Sequence, residues 1–180
     1  MTEIIPDETI MLNVKNGNLT EMSVLFERYH LRLYNFFRKM GLNRDVSQDL
    51  TQNLFYRMIK YRQSFKNGST VKSWIYQIAR NLHADYCRKL KSNDELFMVT
   101  ETYPADVTDE TDNFMEDDFE RLDRALSKLS DTQKEIIVLS RYQGLKYGEI
   151  SAIINQSVPA IKVAMHRAIK QLRSIYLKQI

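Results

Sequence analysis

A chain of 180 residues, 43% hydrophobic and 27% charged, has an ordinary globular composition and room for one or two small domains with cores of their own. No apolar run approaches the ~20 residues of a bilayer-spanning helix, and the opening MTEIIPDETI lacks the basic-then-apolar order of a secretory signal. A single cysteine, Cys87, excludes an internal disulfide and suits a reducing cytoplasm, while five glycines and three prolines favour long helices over many turns.

The expected fold class is therefore all-α, and charge divides it. Residues 1–91 hold 15 Lys/Arg against 8 Asp/Glu, 92–120 hold 11 acids and no Lys or Arg, and 121–180 hold 11 basic against 4 acidic residues. Two basic blocks around an acidic one predict two small helical domains, 1–91 and 118–180, joined by a flexible acidic linker at 92–117. Fully extended, those residues reach about 85 Å, enough for the domains to read separate sites on one duplex.

In chain order, residues 7–16 read as a short helix stopped by Asn16-Gly17-Asn18. Met22, Leu25, Phe26, Tyr29, Leu33, Phe36, Phe37 and Met40 then recur at spacings of three and four, a core stripe ended at Gly41. A third helix over 44–61 has a buried stripe of Val46, Leu50, Leu54, Phe55, Met58 and Ile59. Asp45, Asp49, Gln52, Asn53 and Tyr56 form a polar strip on another side. Carboxylates on a basic domain suit protein docking better than DNA, although from spacing alone the reading as ordinary surface residues beside a helix N-terminus is the stronger.

A polar loop, 61–70, precedes a long helix over 71–91 with Val71, Ile75, Ile78, Ala79, Leu82 and Tyr86 inward. Tyr61, Phe65, Trp74 and Tyr76 interleave with cations there, a pattern that suits single-stranded DNA: phosphates meet charge, and unstacked bases meet aromatic faces. Packing of Trp74 and Tyr76 in the core is the competing reading.

Beyond the linker, Phe119, Leu122, Leu126 and Leu129 predict a helix. A cap at Ser130-Asp131-Thr132 starts another, with Gly144 placed to end it. The stretch from Tyr147 to Arg173 then reads as helix, tight turn and helix. Asn155 is suited to a left-handed turn, Ser157 to an N-cap, and Pro159 to a first helical turn. Ile161, Met165, Ala168, Ile169, Leu172 and Ile175 share one face. Pro159, Lys162, Val163, His166, Arg167, Lys170 and Arg173 share the other, as a helix-turn-helix reading a DNA groove requires.

Catalytic chemistry has no visible carrier, so an enzyme is not expected. There is no phosphate-cradling glycine loop or nucleophile elbow, and the Asp45/Asp49 pair has no histidine beside it. His83 and Cys87 make at most half a metal site, so neither metal nor cofactor is expected.

Taken together, the chain resembles a bacterial RNA polymerase sigma factor of the extracytoplasmic-function (ECF) group over nearly everything outside the linker. Asp45-Val-Ser-Gln-Asp49-Leu50-Thr-Gln52-Asn53-Leu-Phe55 is similar to the polymerase-binding motif of sigma region 2, and Ser73-Trp74-Ile75-Tyr76-Gln77-Ile78-Ala79-Arg80-Asn81-Leu82 to its −10 promoter helix. Leu126 to Leu145 and the helix-turn-helix are similar to region 4, which reads the −35 element.

The resemblance implies binding of core RNA polymerase, promoter recognition, DNA melting and transcription initiation. Asp45, Asp49, Gln52, Asn53 and Tyr56 would meet the β′ clamp helices, and region 4 would touch the β-flap. Lys66, Asn67, Trp74, Gln77, Arg80, Asn81 and Arg88 would hold the melted −10 strand, with a flipped base in the 63–70 loop. Pro159, Ala160, Lys162, Val163, His166, Arg167 and Lys170 would face the −35 duplex. It further implies an anti-sigma partner, often membrane-bound, and a cytoplasmic protein held at the inner membrane only through that partner, with no direct membrane insertion.

Three positions depart from the family pattern: Asn53 stands where an acid is usual, and Val163 and Ala164 where Ser and Arg are common. Losing a bidentate arginine removes ~1–3 kcal/mol of discrimination at one base pair. The alternatives are a stand-alone helix-turn-helix regulator of duplex operators and a purely structural helical interaction protein.

Overall fold

The computed structural model describes residues 5–66, 68–94 and 121–178, and among them every regular element is helical. Of these residues, 5–37 with 44–94 form one compact unit, and 38–43 with 121–178 a second. The expected linker lies outside the described residues except for its first three positions, which continue a helix.

The first unit begins with α1 (Asp7–Lys15), whose first-turn Asp7 and Glu8 and last-turn Lys15 complement the helix dipole. Ile10, Met11 and Val14 are buried, and each contributes about 1.5–3 kcal/mol by leaving water. Asn16 is the C-cap of α1, and Gly17 follows at φ 107°, a conformation in which a side chain would be strained. A short 3-10 turn (Leu19–Glu21) leads into α2 (Met22–Lys39). Met22, Leu25, Tyr29, Leu33, Phe36 and Phe37 are buried as the periodicity requires.

Phe26 departs from that stripe. It remains 39% exposed, stacked on His30 at 4.8 Å and tilted against Phe55 at 4.9 Å. A helix buries only part of its circumference, and Phe26 sits at the edge of that arc.

α3 (Arg44–Lys60) corrects the expected stripe more substantially. Its buried line is Ser47, Thr51, Leu54, Phe55 and Met58, while Val46, Leu50 and Ile59 are only half-buried. Small polar residues can occupy the tight positions because the Thr51 hydroxyl donates to the Ser47 carbonyl at 2.7 Å, which satisfies it inside the fold. α4 (Val71–Asp94) then runs along the unit and buries Val71, Ile75, Tyr76, Ala79 and Leu82, while Ile78 and Tyr86 are half-buried.

In the second unit, α5 (121–127) buries Ala125 and Leu126. Phe119, expected in the same stripe, lies outside the described residues. Ser130 and Gln133 form a capping box at α6 (Asp131–Ile137): the Gln133 amide donates to the Ser130 hydroxyl, and the Ser130 amide to the Gln133 side-chain carbonyl at 3.2 Å. The helix widens into a π turn over Val138–Tyr142, and the chain turns at Gly144. α7 (Tyr147–Ile154) and α8 (Val158–Leu177) complete the unit, with Ile150, Ile153, Ile154, Ile161, Met165 and Ala168 buried.

Candidate nucleic-acid and partner interfaces

The hinge between α7 and α8 is built as its residues dictate. Asn155 adopts the left-handed conformation, φ 53° and ψ 48°, the only positive φ at a non-glycine position among the described residues. The Gln156 amide donates to the Ser151 carbonyl and the Ser151 hydroxyl to the Gln156 carbonyl, closing the turn from both sides. Ser157 accepts from the Ala160 amide, and Pro159 falls in the first turn, where its missing N–H leaves nothing unpaired.

This fixes the direction in which α8 leaves the turn and therefore which face it offers. Pro159, Ala160, Lys162, Val163, His166, Arg167 and Lys170 are all exposed. Val163 is 50% exposed, on an outer face that also carries these ionisable side chains. Ile169, expected inward, is 38% exposed, and Leu172 and Ile175 are half-buried, because the later turns of α8 are only partly covered. The cationic face is otherwise as expected.

On α3, Asp45, Asp49, Gln52, Asn53 and Tyr56 are exposed, Tyr56 at 62%. Asp45 and Asp49 enter no ion pair among the described residues. Lys60 lies over the rings of both Tyr56 and Tyr61, at 5.9 and 5.5 Å from their centroids, and so places a cation between the α3 strip and the loop that follows.

The loop and α4 show the largest revision. Tyr76 is fully buried, edge-on to Phe36 at 5.7 Å, and Phe65 is buried edge-on to Trp74 at 5.5 Å. Neither can stack on a base. Tyr61, half-exposed, and Trp74, half-buried, are the aromatics left from the expected set. Burial also drives the Tyr76 phenol well above its ordinary range, only partly opposed by Arg32. Tyr29 is raised by burial first and then by its hydrogen bond to Asp7.

Lys66, Gln77, Asn81 and Arg88 are exposed and Arg80 is half-buried, while Asn67 lies outside the described residues. Trp74, Gln77, Asn81 and Arg88, spaced by three, four and seven, share one face of α4. Asp85 pairs with Arg88 on its own helix and with Arg57 of α3 at 3.5 Å. The Arg88 side chain is mostly exposed in that pair, which a phosphate can displace at little cost. His83 and Cys87 approach at 3.7 Å, and the described residues contain no third ligand beside them.

Sequence periodicity missed the ties that α1 makes to the loop. Lys15 donates to the Phe65 carbonyl, the Gln63 amide to the Lys15 carbonyl, and the Val71 amide to Glu8. The only sequence signal was charge at the two ends of a short helix.

Two family models match the chain in order: Sigma-70 region 2 over residues 25–93 and Sigma-70 region 4 over residues 119–172. The chain is 30% identical over 160 residues to the ECF RNA polymerase sigma factor SigM of Bacillus subtilis, covering 84% of this chain and 93% of that protein. It belongs to the ECF sigma factors.

This sigma factor is also 28% identical over 167 residues to the RNA polymerase sigma factor CarQ of Myxococcus xanthus, covering 92% and 94% of the two chains. Its fold is similar to that of CnrH, solved in complex with the cytosolic domain of CnrY: TM-score 0.73 and 20% identity over 94% of this chain and 96% of that one. It is likewise similar to RpoE of Bartonella quintana, solved in complex with the anti-sigma factor NepR: TM-score 0.74 and 24% identity, covering 85% and 94%. As an ECF sigma factor it directs promoter recognition and transcription initiation, and this replaces the stand-alone regulator and structural-protein alternatives. Sigma factors are in general not enzymes. No described helix is long and apolar enough to cross a membrane.

Proposed function

We propose that the three exposed surfaces divide the work of initiation. Asp45, Asp49, Gln52, Asn53 and Tyr56 dock on the clamp helices of the polymerase β′ subunit, where exposed carboxylates without internal partners attract cationic side chains. Lys66 and Asn67 in the loop, with Trp74, Gln77, Arg80, Asn81 and Arg88 on α4, hold the non-template strand of the melted −10 element. Flipping one base out of the duplex costs a few kcal/mol, offset by contacts made only to the open strand.

Pro159, Ala160, Lys162, Val163, His166, Arg167 and Lys170 face the −35 duplex. The second unit touches the β-flap, and the acidic segment between the units follows the polymerase's nucleic-acid channel. Residues 1–91 serve as region 2 and 118–180 as region 4. The protein works in the cytoplasm, and an anti-sigma factor restrains it, a reading supported by the likeness to RpoE of Bartonella quintana, solved in complex with the anti-sigma factor NepR.

The observation that carries this division is the partition of α8: one face buried at Ile161, Met165 and Ala168, the other exposed with Lys162, His166, Arg167, Lys170 and Arg173. Co-purification with core polymerase and run-off transcription from genomic fragments test it. Failure of the purified chain to bind core enzyme or to direct initiation on any fragment would overturn it.

A further inference from the structure

The loop at 61–70 is short, yet it is tied at both ends to a helix far from it in sequence. At its start, the Gln63 side-chain amide donates to the Lys15 carbonyl at 2.9 Å, and Lys15 Nζ donates to the Phe65 carbonyl at 2.6 Å. At its end, the Val71 amide donates to Glu8 Oε1 at 3.1 Å, satisfying one of the orphan donors of the first turn of α4. The Thr70 hydroxyl accepts from the Ser73 amide at 3.2 Å, satisfying another. Phe65, buried against Trp74, completes the anchorage, while Lys66, Ser69 and Thr70 stay exposed between the fixed points.

Glu8 and Lys15 lie two helical turns apart on the same face of α1, so their roots are about 10 Å apart along the axis. Lys15 and Glu8 thus hold the loop at its two ends, Phe65 and Val71. Between these ends the Ser69 amide donates to the Lys66 carbonyl at 3.1 Å. The Sigma-70 region 2 match begins at residue 25, so both anchors precede it while the loop they hold lies inside it.

We propose that α1 is a positioning element for −10 readout. Glu8 and Lys15 hold the two ends of the loop, at Phe65 and Val71, and base capture by the loop depends on them although neither contacts DNA. This rests on the reading of the 63–70 loop as the base-holding loop. A loop held at both ends has less freedom to lose when it takes up an extruded base, so loosening an anchor weakens capture and blurs the choice of base.

The test uses holoenzyme assembled from the full chain and core polymerase, incubated with a random-sequence single-stranded DNA pool whose bound fraction is sequenced. Wild-type holoenzyme enriches a preferred base pattern. Lys15→Ala and Glu8→Ala each reduce that enrichment about tenfold, the loss expected when one charge-assisted hydrogen bond is removed. Their affinity for core polymerase stays unchanged. Lys15→Arg and Glu8→Gln, which keep a donor and an acceptor, restore most of the enrichment. Leu33→Val, a core change on α2, provides the comparison at equal melting temperature and leaves enrichment intact. Wild-type enrichment in both alanine variants, or a loss no greater than that of Leu33→Val, overturns the proposal. If wild-type holoenzyme enriches no base, the loop reading itself falls and the positioning role falls with it.

Discussion

Tyr29 and Tyr76 place two phenols inside the first unit, and both are held protonated above their ordinary range of about 10, chiefly by burial. Because the folded state keeps these protons longer than the unfolded chain, the stabilisation they give is fully present below pH ~10 and is lost as pH rises beyond it. Each contributes a slope of about 1.4 kcal/mol per pH unit there. Tyr76→Phe removes one such group, so the stability gap between wild type and variant should narrow between pH 9 and 11. Denaturant melts followed by circular dichroism measure it, and a gap constant with pH would contradict the assignment. The same burial that creates this linkage disqualifies Tyr76 as a base-stacking surface.

At the scale of the element, the helix-turn-helix carries one weak residue and one strong one. Gly148 sits within α7, and a methyl group built there meets nothing within 4 Å. Gly148→Ala should therefore stabilise the second unit by about 0.5–1 kcal/mol through helix propensity alone, raising Tm by several degrees. A fall in Tm would mean that the open space is filled in solution. Ser157→Ala should act in the opposite sense, losing about 1 kcal/mol with the cap on the Ala160 amide. On the outer face of α8, replacing Lys162 and Arg167 together by Ala should lower the salt dependence of duplex binding by about two phosphate contacts. Equal losses at every salt concentration would instead indicate a folding role.

For the molecule as a whole, the proposed division puts polymerase docking on α3 and −35 reading on α8, so the two should separate by mutation. Asp49→Lys should weaken binding to core polymerase and abolish run-off transcription while leaving the circular dichroism spectrum unchanged. The Lys162/Arg167 double alanine variant should bind core polymerase normally yet initiate poorly at promoters that depend on the −35 element. Similar core affinity in Asp49→Lys and wild type would remove the docking face. The two basic units around an acidic segment suit this arrangement, since the positive surfaces gather DNA while the acidic stretch is repelled by it.

The sequence by itself determined the all-α class and the helix boundaries to within a few residues. It also determined the turn at Asn155, the cap at Ser157 and the cationic outer face of α8. Those features follow from local spacing, left-handed propensity and capping, which nearest neighbours along the chain decide. Only the tertiary structure decided which aromatics are available. Phe65 and Tyr76 are spent on the core and Phe26 is left at its edge, because burial depends on what packs opposite and not on helical phase alone. Ser47 and Thr51 displaced Val46 and Leu50 from the tightest line of α3 for the same reason. The ties from Glu8 and Lys15 join residues more than forty positions apart in sequence, and no periodicity along one strand of sequence can register such a contact.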